Sequence, residues 1–86
     1  MSKEVAFKNR DRYINLSNAI SKLRKANKLS QYQLADKADI SRSLLRQIEA
    51  PGVIKTFSLE VFFNLSDELG IEPEDLMAEI KNTEND

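Results

Sequence analysis

The segment Ser30–Glu49 constrains this chain more than any other. Capping and periodicity make it two short helices, about Gln31 to Ala38 and about Arg42 to Glu49, joined through Asp39, Ile40 and Ser41. Ser30 reads as an N-cap, and Gln33 three residues later completes an S-x-x-Q capping box. Ser41 opens the second helix in the same way. Helices of about eight residues do not persist alone in water, so these two need each other and at least one more helix. Ala35 stands where the pair must cross closely, and Ile40 in the turn fills the gap between them. Leu34, Ala38, Leu45 and Ile48 face inward, with Leu44 at the edge of the buried face.

The remaining periodicity is also helical. Tyr13, Leu16, Ile20 and Leu23 recur at steps of three and four, with Ala19 and Ala26 on the same stripe, giving a first helix from about Asp11 to Ala26. Asn27 is the residue expected to end it in the left-handed region. After Glu49, Pro51-Gly52 stops the chain, and residues 50–57 read as a loop. Ser58 is a third serine cap. Leu59, Phe62, Leu65 or Ser66, and Leu69 form the apolar side of a fourth helix that Gly70 ends. Pro73 opens a fifth helix, with Glu72, Glu74 and Asp75 at the positive end of its dipole and Leu76, Met77 and Ile80 on its apolar side. No alternating β-branched run and no repeat is present. The expectation is therefore an all-α, five-helix domain over residues 10–81, an N-terminal arm over 1–9 and a disordered tail over 82–86.

At 86 residues the chain holds one domain. It has no Cys, which excludes a disulfide scaffold, a zinc finger and a thiol nucleophile, and no His, the commonest acid–base and metal-binding side chain. An enzyme, a metal and a cofactor are not expected. No apolar run exceeds three residues, and the first residues lack the apolar core of a signal peptide, so the expectation is a cytoplasmic protein with no membrane contact. The near-neutral net charge of -1 conceals a polarity. Residues 8–57 carry eleven bases against four acids, a net of +7, whereas residues 58–86 carry one base against nine acids, a net of -8. The first block suits a polyanion, and the second would be repelled by one; solvated helix faces with no partner are the alternative.

Two short helices joined by a tight turn are the helix-turn-helix arrangement, in which the second helix projects polar residues into a DNA major groove. The pattern Ser30-Gln31-x-x-Leu34-Ala35-x-x-Ala38-x-Ile40-Ser41-x-x-x-Leu45-x-x-Ile48-Glu49 resembles the lambda-repressor-like, Cro-type helix-turn-helix regulators of bacteria and their phages. Ser58-Leu59 and Leu69-Gly70-Ile71 extend the resemblance over about residues 10–78. Two positions depart from it. Asp39 stands where the family often has Gly, at a modest cost because Asp tolerates the left-handed region. The loop after Glu49 is longer than the common Gly-rich version, which obscures its DNA contacts.

The resemblance implies roles for particular residues. Gln31, first in its helix, suits a phosphate oxygen; a solvated amide is the alternative. Arg42, Ser43 and Gln47 fall at base-reading positions, where Arg forks onto guanine and Gln pairs with adenine. Arg46 reaches a base or a phosphate, and Lys55 is the loop's candidate for DNA. Lys22, Lys25, Lys28 and Lys37 supply general electrostatics. Arg24 is expected to pair with Glu49, an acid otherwise unfavourable beside phosphates, as a structural ion pair. Glu74 and Asp75 are better explained as helix-capping charge than as a metal or catalytic pair. The implied function is sequence-specific binding of double-stranded DNA, at a palindromic operator, by a repressor-type regulator acting as a homodimer. Phe57, Phe63, Ile71, Met77 and Ile80 are candidates for the dimer surface, or else complete the monomer core. The alternative is an antitoxin-like interaction module that binds a second protein and autoregulates its operon.

Overall fold

The computed structural model describes residues 5–81. Over them the chain forms a 3-10 turn at Phe7–Asn9, then α1 (Arg10–Ala26), α2 (Gln31–Ala38), α3 (Arg42–Glu49), α4 (Leu59–Leu69) and α5 (Pro73–Ala78), with a second 3-10 turn at Glu79–Lys81. Among the described residues there is no strand. The described part of the expected arm thus holds a short turn that leads directly into α1. Residues 1–4 of that arm and the whole expected tail, 82–86, lie outside the described residues.

One core joins all five helices. Leu16, Ala19 and Ile20 of α1 meet Leu34, Ala35 and Ala38 of α2, Leu45 and Ile48 of α3, Phe62, Leu65 and Leu69 of α4, and Leu76 of α5. Each fully buried Leu or Ile contributes about 1.5–3 kcal/mol over the exposed state. α2 packs on α3 and α4, α3 also on α1, and the C-terminal 3-10 turn lies along α1. There Asn15 Nδ2 donates to the Ile80 carbonyl at 3.0 Å. The buried hydroxyl of Ser66 donates back to the Phe63 carbonyl at 2.9 Å, so it enters the core satisfied.

The starts of α2, α3 and α4 share one scheme, and the stops of α1, α2 and α4 another. Ser30, Ser41 and Ser58 accept from the backbone N–H three residues on, at 3.0, 3.0 and 3.1 Å, and Gln33 closes the capping box by accepting from the Ser30 N–H at 2.9 Å. At the stops, Lys28, Asp39 and Gly70 have φ of 59°, 59° and 71°. In each case the next N–H, of Leu29, Ile40 or Ile71, bonds five residues back, at 3.1, 3.0 and 3.1 Å. These are Schellman motifs, and each of those aliphatic residues packs against the core.

Three details of the sequence reading change. The left-handed residue after α1 is Lys28, not Asn27, whose φ is -86°. Asn27 instead donates its side-chain amide to the carbonyls of Leu23 (2.8 Å) and Leu69 (3.3 Å), tying the ends of α1 and α4 together. Ala26 is exposed: in the last turn of α1 it lies about 70° to one side of the direction in which Leu16, Ala19 and Ile20 are buried. Leu59 is 63% exposed: as the first residue of α4 it precedes the turn at which that helix meets its neighbours. Among the candidate dimer residues, Phe57, Ile71 and Ile80 pack on the core, whereas Phe63 and Met77 remain exposed.

Candidate nucleic-acid interface

α3 is short, but its two sides differ sharply. Leu45 and Ile48 are fully buried, while Arg42, Ser43, Arg46 and Gln47 are all exposed. At about 100° per residue, Ser43 lies roughly 170° from the buried direction, with Arg46 and Gln47 about 130° to either side and Arg42 about 90° toward its flank. The outward face therefore carries two cations, a hydroxyl and an amide. Leu44 is half-buried against the core and leaves that face. These groups match the donors and acceptors of base edges and phosphates.

Beneath this face lies a buried polar junction. Arg24, in the last turn of α1, donates from Nε to both oxygens of Glu49 (3.1 and 2.9 Å) and from Nη2 to Oε1 (2.9 Å). Its Nη1 donates to the Leu29 carbonyl at 2.8 Å, in the turn between α1 and α2. Gln31 Nε2 donates to Glu49 Oε1 at 3.0 Å. The side chains of Arg24 and Glu49 are only 11% and 3% exposed. Glu49 ends α3, where the helix dipole disfavours an anion, so the guanidinium is what permits an acid there. The junction links α1, the first turn, the start of α2 and the end of α3. One amide hydrogen of Gln31 is committed to Glu49, which leaves the other for an outside acceptor.

Arg42 lies over the ring of Tyr32, with Cζ 3.2 Å from the ring centroid. Tyr32 is the second residue of α2 and is 53% exposed. Sequence reasoning missed it. The available signal was an aromatic in the first turn of α2, off the buried stripe of Leu34, Ala35 and Ala38.

Lys55 stands apart from this group, half-buried in the loop between α3 and α4. That loop opens with Ala50-Pro51-Gly52-Val53, in which the Val53 N–H donates to the Ala50 carbonyl at 3.2 Å and Gly52 has φ 77°. Pro at the second position and a left-handed Gly at the third are the pattern of a type II turn. Among the described residues no cluster of His, Cys, Asp or Glu could hold a metal ion, and no helix is long and apolar enough to cross a membrane.

A family model described as helix-turn-helix matches residues 20–76, well over half of the chain. No curated protein and no solved structure matches it.

Proposed function

The chain belongs to the helix-turn-helix family of Cro/C1-type DNA-binding transcriptional regulators, and from that premise we propose that it is a sequence-specific, repressor-type regulator of bacterial or phage origin. The reading is carried by the exposed face of α3, where Arg42, Ser43, Arg46 and Gln47 stand together on a helix fixed by the Arg24–Glu49 junction. Arg42 and Gln47 read base edges. Ser43, at the centre of the face, and Arg46 contact bases or adjacent phosphates. Gln31 uses its remaining amide hydrogen and the start of α2 to hold a phosphate, and Lys55 neutralises another from the loop.

One eight-residue helix reaches only a few base pairs, so useful specificity needs two copies on a two-fold operator. A homodimer formed through exposed apolar residues of α4 and α5, Phe63 and Met77 among them, keeps both copies of α3 free. The acidic α4 and α5 then point away from the phosphates. Such a regulator works where the chromosome is, in the cytoplasm, without metal or cofactor.

The test is the dependence of duplex affinity on salt. Each phosphate neutralised contributes about -0.9 to the slope of log K against log [salt]. With Lys55, and Arg46 where it meets a phosphate, each present in two copies, affinity falls steeply between low and physiological salt. Affinity that stays flat over that range, for every duplex tested, contradicts the reading.

A further inference from the structure

We propose that Tyr32 is a specificity-determining positioning residue: its ring fixes the plane of the Arg42 guanidinium for bidentate donation to a guanine edge. The proposal rests on the DNA-binding reading above and adds a residue to it. Tyr32 has no core role to explain it. The buried side of α2 is complete with Leu34, Ala35 and Ala38, and the ring stays 53% exposed in the first turn. What the ring does touch is Arg42, the first residue of α3, whose Cζ sits 3.2 Å from the ring centroid. The α2–α3 turn brings together these two first turns.

The geometry of a guanidinium gives the contact its consequence. Its five N–H donors lie in one plane, whereas the ring covers a face. Stacking therefore leaves the donating edge open while it removes rotation of the plane. An exposed, unrestrained arginine pays for ordering when it binds, and a pre-stacked one has already lost that freedom. Arg46, one turn further along α3, has no such aromatic beneath it among the described residues and is free to choose among base and phosphate acceptors. The two arginines of α3 are thus unequal: Arg42 is the strict reader and Arg46 the adaptable one.

Three variants test this: Tyr32→Phe keeps the ring, Tyr32→Leu keeps bulk without a π face, and Arg42→Ala removes the reader. Without DNA, ring current shifts the Arg42 side-chain Hε and Hδ proton resonances upfield in the wild type and in Tyr32→Phe, and the shift is absent in Tyr32→Leu. With DNA, the position read by Arg42 is the one whose preference Arg42→Ala erases in a selection on randomised duplexes. At that position Tyr32→Leu lowers discrimination about 3–10-fold, from lost cation–π attraction and lost pre-ordering. Other positions, the thermal midpoint and the salt slope are unchanged, and Tyr32→Phe stays within about twofold of wild type, the contact being with the ring. In the Arg42→Ala background Tyr32→Leu has no further effect. Undiminished discrimination in Tyr32→Leu, a loss spread evenly over all positions, or a loss that persists without Arg42 overturns the proposal. A wild-type protein that selects no duplex sequence overturns the DNA reading and this proposal with it, and is recognised by failure of the wild type alone.

Discussion

Glu49 is an anion at the negative end of α3, 3% exposed, and three N–H···O contacts from Arg24 hold it there. Truncating Arg24 strands that charge with only the Gln31 amide for a partner. Arg24→Ala is therefore expected to cost about 3–5 kcal/mol in urea unfolding. The Arg24→Ala/Glu49→Ala double variant should lose much less than the sum of the two single losses, and additive losses would show that the pair is not coupled. Gln47 is the opposite kind of residue, exposed and with no side-chain hydrogen bond among the described residues. Gln47→Ala should leave stability and the salt slope unchanged while costing about 1–3 kcal/mol on the preferred duplex, with relaxed preference at one or two base positions. Lys55→Ala should weaken all duplexes alike and make the slope shallower by about 0.9 for each copy bound. Competition binding over a salt series separates the two, and a uniform loss for Gln47→Ala would reassign that residue to the phosphates.

The elements repeat one local device. A left-handed residue ends the helix and an aliphatic residue packs on the core in Lys28-Leu29, Asp39-Ile40 and Gly70-Ile71, and a serine cap opens the next helix after the first two, whereas α5 opens at Glu72 without a side-chain cap bond. Lys28 is the poorest fit, because a β-carbon in the left-handed region costs about 1–2 kcal/mol. Lys28→Gly should therefore raise stability by about 0.5–1 kcal/mol, the relief less the extra entropy glycine loses on folding. The urea midpoint should rise with the slope unchanged; a lower midpoint would mean that the Lys28 side chain contributes more than its backbone costs. Much of this scheme was legible in the sequence, because caps and stops are local chemistry. Ser30, Ser41, Ser58, Asp39 and Gly70 all declared themselves by residue type. Lys28 did not, since intrinsic preference favours Asn27, whose side-chain amide instead donates to carbonyls of α1 and α4. The exposed face of α3 was legible from Leu45 and Ile48 alone. The Tyr32–Arg42 stack and the Gln31–Glu49 bond were not, because each joins side chains that meet only after α2 and α3 have docked.

At the scale of the whole molecule, charge and shape agree. The basic block supplies α1 to α3 and the loop, and the acidic block supplies α4 and α5. In the proposed function a molecule so polarised approaches a polyanion with α3 leading and its acidic end held away from the backbone. That end also carries the exposed Phe63 and Met77, the surface at which the proposed dimer leaves α3 free. The central claim is that two copies of α3, each fixed by its buried junction, read a two-fold sequence in duplex DNA. Selection of the wild-type protein on a pool of randomised duplexes tests it most directly. An enriched motif made of two inverted half-sites, about one helical turn apart, is the expected result. Recovery of no motif, with the pool bound indifferently or left unbound, would contradict it.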